Sequence, residues 1–329
     1  MNNMNIPLNP KLFDNDIEQV PIRTGFGEGL VDAARADERV VGLCCDLTES
    51  TKMDAFAKEF PTRFFEMGVM EQSMASTAAG MAAMGKVPFM SSYAMFSPGR
   101  NWEQIRTTIC YNDRSVKIAG SHAGVSVGPD GGTHQALEDI ALTRVIPRMV
   151  VITPCDSIEA RKATLAAAKT NSPTYIRLAR EKTPIITTAD TPFEIGKAQI
   201  FYKPEKASIN VGIIACGSLV HNAIMAARAL EDEGIGAVVM NIGTVKPLDR
   251  EAVITLAKEC GAIVTVEEHQ VVGGMGSAVA EVLAVEYPTK MAFVGVQDVF
   301  GQSGTPEELI RHYGMDKEGI KYAVKMLLG

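Results

Sequence analysis

The segment RFFEMGVMEQ (residues 63–72) sets Glu71 at the head of a run of small and apolar residues that keeps helical spacing as far as Met84. An acid there is accounted for by the unpaired N–H groups and dipole of a first helical turn. The sharper reading is a carboxyl desolvated by Val69, Met70 and Met74, its pKa raised so that it shares a proton with a heterocyclic nitrogen. Downstream, VPFMSSYAMFSPGRNWEQIR (87–106) places Tyr93 and Phe96 three residues apart just after a short strand. Aromatics at such a strand end form a platform for a flat ring, or pack a core or lid. The densest chemistry lies in GSHAGVSVGPDGGTHQALED (120–139). Two of the chain's 5 histidines, His122 and His134, share it with Asp130, Gly124, Gly128, Gly131 and Gly132. Glycines at that density let backbone approach a ligand, and imidazoles beside a carboxylate suit polarising hydroxyls and moving protons. That composition fits a ligand loop better than an incidental surface loop. Two histidines and one aspartate lack the third strong ligand of a metal centre, so no metal site is expected in this chain.

Positioning such residues takes alternating strands and helices. Short β-branched runs at 39–45, 87–90, 115–119, 149–153, 174–178, 211–215, 237–241 and 262–267 have the length of parallel strands covered on both faces. Helical patterns at 25–36, 71–84, 102–111, 158–169, 219–233, 250–260 and 276–286 fall between them at crossover spacing. The fold class is therefore α/β, as two consecutive domains with mostly parallel sheets. The pattern lapses in TPIITTADTPFEIGKAQIFYKPEKAS (183–208), so the domains are expected at 1–190 and 207–329, with a linker at 191–206. GGMGSAVAEVL (273–283) lacks the third glycine of a dinucleotide loop and reads as tight helix–sheet packing. His221, His269 and His312 belong to no constellation and read as structural or exposed.

The 329 residues, at roughly 150 per domain, suffice for two buried cores. A net charge of −7 gives no basic field for nucleic acid or an anionic membrane surface. The 6 cysteines form no Cys-x-x-Cys pair and read as buried thiols in a reducing compartment. With no apolar run of membrane-spanning length and no signal-peptide pattern, a cytoplasmic location is expected.

Taken together, these segments resemble the C-terminal half of transketolase, a thiamine-diphosphate enzyme. RFFEMGVMEQ is similar to the family's segment bearing the cofactor-activating glutamate. SHAGVSVGPDGGTHQALE (121–138) resembles its sugar loop with Gly-x-Asp-Gly-x-Thr-His-Gln, CCDLTESTK (44–52) its Asp-Leu-x-x-Ser turn, and EEHQVVGGMGSAVAEVL (267–283) its third domain. The resemblance runs from about Pro21 to the C-terminus. It implies a pyrimidine-binding fold followed by a transketolase C-terminal-like domain. Glu71 would then hydrogen-bond the aminopyrimidine nitrogen, Tyr93 and Phe96 would line its pocket, and Asp46 and Val69 would also contact cofactor. His122 and Asp130 would bind sugar hydroxyls, with His134 acting near the ketose end. Arg23, Ser50 and Arg180 match positions that hold sugar phosphate, with Arg177 an additional candidate. Glu71, His122 and His134 are the implied catalytic set.

One departure is large. The chain has no Gly-Asp-Gly motif of the kind that holds the metal and diphosphate in full-length transketolases. The resemblance therefore implies half an enzyme. A separate N-terminal subunit would carry the diphosphate and Mg2+, and a homodimer of this chain would form the core of a heterotetramer, its aminopyrimidine recess open to water on the partner's side. The expected reaction is transfer of a two-carbon ketol unit between phosphorylated sugars. A 2-oxoacid dehydrogenase β-subunit has less need of the His122/Asp130 pair, and a deoxyxylulose-phosphate synthase normally carries both halves on one chain and lacks a counterpart of His122. A noncatalytic assembly subunit would not need Glu71 and both loop histidines, while an NAD-dependent oxidoreductase rests only on the imperfect glycine loop.

Overall fold

The computed structural model describes residues 6–329, so the first five residues of the expected 1–190 domain lie outside it. The first part comprises β1 (Gln19–Pro21), α1 (Ile22–Ala36), β2 (Val40–Cys44), α2 (Asp54–Glu59), β3 (Phe64–Glu66), α3 (Glu71–Ala83), β4 (Val87–Tyr93), α4 (Trp102–Gln104), β5 (Lys117–Ser121), α5 (Asp139–Arg144), β6 (Val150–Ile152), α6 (Ser157–Ala168), β7 (Thr174–Arg177) and β8 (Lys182–Pro184). The second comprises β9 (Gln199–Tyr202), β10 (Ile209–Ala215), α7 (Val220–Asp232), β11 (Gly236–Asn241), β12 (Thr244–Lys246), α8 (Arg250–Cys260), β13 (Ala262–Gln270), α9 (Met275–Glu286), β14 (Lys290–Val296), α10 (Pro306–His312) and α11 (Lys317–Leu328).

Two mostly parallel sheets result, as the sequence pattern predicts. The larger has the order β12-β6-β7-β5-β4-β2-β3 and the smaller β14-β13-β10-β11-β9. Only their edge strands β12 and β9 run antiparallel to their neighbours. Strands β2, β4, β5 and β7 end on one side of the larger sheet, so the loops that follow them meet there. Helix α1 delivers its first turn to the same side. Its Gly25 and Gly29 leave so little room that an added Cβ would lie 1.7 Å from the carbonyl oxygen of Ser157 and 2.8 Å from that of Arg161, so α1 and α6 cross backbone to backbone. Helix α6 is fixed in turn by Asp156, which caps it by accepting from the Glu159 amide and ties down Ile186 and Thr187 with its other oxygen.

Two features depart from a simple reading of the chain as two beads on a linker. Residues 199–202, inside the expected linker, form edge strand β9 paired with β11. Residues 244–246, inside the expected second domain, leave the smaller sheet and pair with β6 of the larger one. Both are short edge strands, needing only a chain reversal and a free ladder of N–H and C=O groups. The apolar interior is correspondingly shared. Ile118, Met74 and Tyr175 of the first part belong to the same cluster as Val238, Val253 and Val279 of the second. All six cysteines are free and buried. Among the described residues, no helix is long and apolar enough to cross a membrane.

Candidate active site

Glu71 opens α3 and is 1% exposed. Its Oε1 accepts a hydrogen bond from Ser92 on β4 at 3.0 Å, and Asn101 binds its carbonyl at 3.1 Å. Its Oε2 is 2.5 Å from Nη1 of Arg100, whose guanidinium carbon stands 4.6 Å from the centre of the Phe96 ring. The Phe96 and Tyr93 rings are nearly parallel, 15° apart with centres 6.2 Å distant. His134 meets Phe96 edge-on at 5.6 Å and Tyr93 at 6.3 Å. Glu71, Tyr93, Phe96 and His134 therefore surround one spot, although they come from a helix start, a strand end and two loops. The sequence leads one to expect a recess open to water over Glu71. The structure differs, because Arg100 lies across the carboxylate and supplies the counter-charge that a buried anion requires.

Tyr93 links this group to a second one. Its ring stacks on His122 with centres 3.8 Å apart. His122 follows β5 with a left-handed backbone (φ 58°) and is 2% exposed. Its Nδ1 lies 2.8 Å from the Ser121 hydroxyl and its Nε2 3.4 Å from Nη1 of Arg23. A guanidinium can only donate, so Nε2 is the acceptor and Nδ1 carries the proton. Burial, and then the charges of Arg23, Arg180 and His134, push the His122 pKa down to about 3. Arg23 donates to the carbonyls of Arg180 and Ser50, and Arg180 donates to that of Val127 at 2.6 Å. The nearest carboxylates to Arg180 are Glu181 at 3.5 Å and Asp130 at 4.0 Å. Burial and the neighbouring Arg180 pull the Arg23 pKa below its ordinary value. Ser50 thus takes part through its backbone carbonyl. Two guanidiniums side by side, largely satisfied by carbonyl dipoles, make a cationic cluster suited to an anionic group.

The sugar loop is held from beneath by the second domain. Glu268 on β13 accepts from the Ser126 amide and the Ser218 hydroxyl, both at 2.6 Å. Gly124 (φ 88°) is required above it, since a Cβ there would come within 2.3 Å of the Glu268 carboxylate. Gln135 ties the far end of the loop to the carbonyls of Val125 and Gln302. On the other side, Glu66 gathers the Asp46 amide, the Thr48 hydroxyl and the Gly68 amide. Asp46 itself is exposed on a left-handed turn, and Val69 is 64% exposed.

Arg177 is a correction. Expected as an additional phosphate ligand, it is 8% exposed and directed away from Arg23 and Arg180. Its Nε is 2.8 Å from Asp139, and Nη2 donates to the Glu268 carbonyl at 2.8 Å, so it is spent on joining the two domains. The glycine loop at 273–276 also has a settled structural role. Glu267 accepts from the Met275 and Gly276 amides, so this chain's own carboxylate fills the helix start where a dinucleotide phosphate would sit. His269 is buried, His221 bonds the Leu12 carbonyl, and His312 is exposed.

The family model for the transketolase pyrimidine-binding domain matches residues 18–185, just over half the chain and nearly all of the site. The chain belongs to the transketolase family. The model for the transketolase C-terminal domain matches residues 202–320. A putative transketolase C-terminal section of Methanocaldococcus jannaschii is 43% identical over 302 residues, covering 91% of this chain and 93% of that protein. One of the subunits of an apulose-4-phosphate transketolase, from Phocaeicola vulgatus, is 36% identical, covering 92% of this chain and 95% of that one. A solved split-gene transketolase, described as an inactive beta4 tetramer, superposes with a TM-score of 0.87 at 44% identity, covering 94% of this chain and 98% of that one.

Transketolases normally use thiamine diphosphate, and the site can be tested against that group. A flat, N–H-bearing guanidinium already lies on the Phe96 face and pairs with the Glu71 carboxylate. The cradle therefore fits a flat nitrogen heterocycle such as an aminopyrimidine. For a divalent cation there is no comparable provision: among the described residues, no three His, Cys, Asp or Glu side chains group so as to hold a metal ion. Four functional residues escape sequence reasoning: Arg100, Ser92, Glu66 and Glu268. Of these only Glu268 carries a sequence signal, an acid in a strand pattern beside the glycine loop.

Proposed function

We propose that this chain is the aminopyrimidine-side subunit of a two-chain transketolase that moves a two-carbon ketol unit between phosphorylated sugars. The observation that carries this reading is the stacking of Tyr93 on His122, which sets a buried carboxylate with an aromatic face directly beside a two-arginine cluster. One half suits the cofactor ring and the other a sugar phosphate. Thiamine diphosphate, when bound, supplies the activated thiazolium carbon that carries the two-carbon unit. Glu71, held by Ser92 and shielded from water, shares a proton with the ring nitrogen of the aminopyrimidine. Phe96 and Tyr93 offer flat faces to that ring. His122 stays neutral and hydrogen-bonds a sugar hydroxyl without titrating, and Asp130 at the loop's exposed tip accepts from another. His134, half-buried at the edge of both rings, is placed to move a proton at the ketose end. Arg23 and Arg180 grip the phosphate far from the reacting carbon, binding energy that orients the substrate.

The diphosphate and Mg2+ then fall to a separate N-terminal subunit, with a homodimer of this chain at the centre of a heterotetramer in the cytoplasm. The names of the relatives, one a C-terminal section and the other one subunit of several, support a split enzyme. The direct test is exchange of the thiazolium C2 proton in the assembled enzyme. Glu71→Gln cannot give the ring nitrogen its proton, so exchange should slow by orders of magnitude; equal rates in wild type and variant would remove Glu71 from this role.

A further inference from the structure

Arg100 makes two contacts that a bound aminopyrimidine would also have to make. Its guanidinium covers the Phe96 face, and it takes the Oε2 oxygen of Glu71 at 2.5 Å. A guanidinium resembles half of an aminopyrimidine: planar, delocalised and edged with N–H donors. Its side chain is nevertheless 41% exposed, so the rest of it already lies in water and a change of side-chain rotamer can release it. Ser92 occupies only Oε1, leaving Arg100 as the group that neutralises Oε2. A carboxylate 1% exposed cannot be left without a counter-charge, so a chain lacking cofactor needs such a partner at this place.

We propose that Arg100 is a built-in stand-in for the aminopyrimidine, which holds Glu71 and the Phe96 face until the cofactor displaces it. This rests on the reading of Glu71 and Phe96 as the aminopyrimidine site. Cofactor binding is then a competition, and the apparent affinity is reduced by the fraction of molecules in which Arg100 has swung clear. The device keeps the buried acid compensated in the unassembled subunit at the expense of cofactor affinity in the assembled one.

The test uses thiamine diphosphate with Mg2+ as the probe and the chain co-purified with its diphosphate-binding partner. Fluorescence of Trp102, the sole tryptophan and two residues beyond Arg100, reports occupancy without turnover. Arg100→Ala should lower the half-saturating cofactor concentration by about tenfold. Arg100→Lys keeps the charge but not the planar fork, and should fall between the two. In the isolated chain, Arg100→Ala should lower the urea midpoint, and Glu71→Gln in the same molecule should restore it. Cofactor binding that is unchanged or weakened in Arg100→Ala overturns the stand-in, the weakened case making Arg100 a ligand of the cofactor. Unchanged cofactor affinity and C2-proton exchange in Glu71→Gln alone would instead sink the underlying site assignment, whatever Arg100 does.

Discussion

His122 should make this chain acid-sensitive by a calculable amount. Its pKa is about 3 in the folded chain, pushed down by burial and by Arg23, Arg180 and His134, against an ordinary value of 6.5. Between those values the unfolded chain binds a proton that the folded chain refuses. Stability contributed by the neutral imidazole is therefore fully present above pH 6.5 and is lost as the pH falls toward 3. With the unfolded group half-protonated at 6.5, lowering the pH from 7 to 5 costs about 2 kcal/mol from this residue alone. Replacement by Asn suits the left-handed backbone at this position and removes the titration. Urea unfolding of wild type and His122→Asn at both pH values isolates the term, because His269, also pushed down by burial to about 4, contributes equally to both proteins. Wild type should lose about 2 kcal/mol more than the variant across that range. Parallel losses would mean that His122 is not held neutral, and that its geometry beside Arg23 has been misread.

Two further outcomes separate the arginines. Arg177→Met strands Asp139 in the domain junction and should destabilise the chain by about 3–5 kcal/mol in urea unfolding, while the Michaelis constants of the assembled enzyme for sugar phosphates stay put. Arg23→Ala and Arg180→Ala should do the reverse, each weakening capture of phosphorylated sugars by roughly 1.5–3 kcal/mol while leaving their unphosphorylated counterparts nearly unaffected. Equal penalties on both substrate types would remove the phosphate assignment.

The sequence exposed long-range order better than fine placement. Strands such as β2 and β11 are continuous apolar runs because both faces are covered, and their boundaries follow from composition. Strands β9 and β12 are only four and three residues long and take their identity from the neighbour they pair with, which no local pattern reveals. The same distinction runs through the site. Glu71, Tyr93, Phe96, His122 and His134 sit in compact motifs, so their types and spacing pointed to one place. Arg177 and Arg180 are three residues apart, and only the end of β7 separates them. Arg177 is still in the strand and meets Asp139 in the junction, whereas Arg180 lies past its end among the loops. Arg100 is invisible to motif reading because its meaning comes from Glu71, 29 residues away. Glu66 and Glu268 act through backbone amides, a role that any acid in the sequence could have held.

The central claim is a division of labour, with this chain supplying the aminopyrimidine and sugar sites and another supplying diphosphate and metal. Titration calorimetry of thiamine diphosphate into the isolated chain, with and without Mg2+, and then into the chain assembled with a diphosphate-binding partner, tests it most directly. Weak or undetectable binding to the isolated chain, with tight Mg2+-dependent binding and ketol transfer appearing together on assembly, is the expected result. Tight stoichiometric binding to the isolated chain would contradict it.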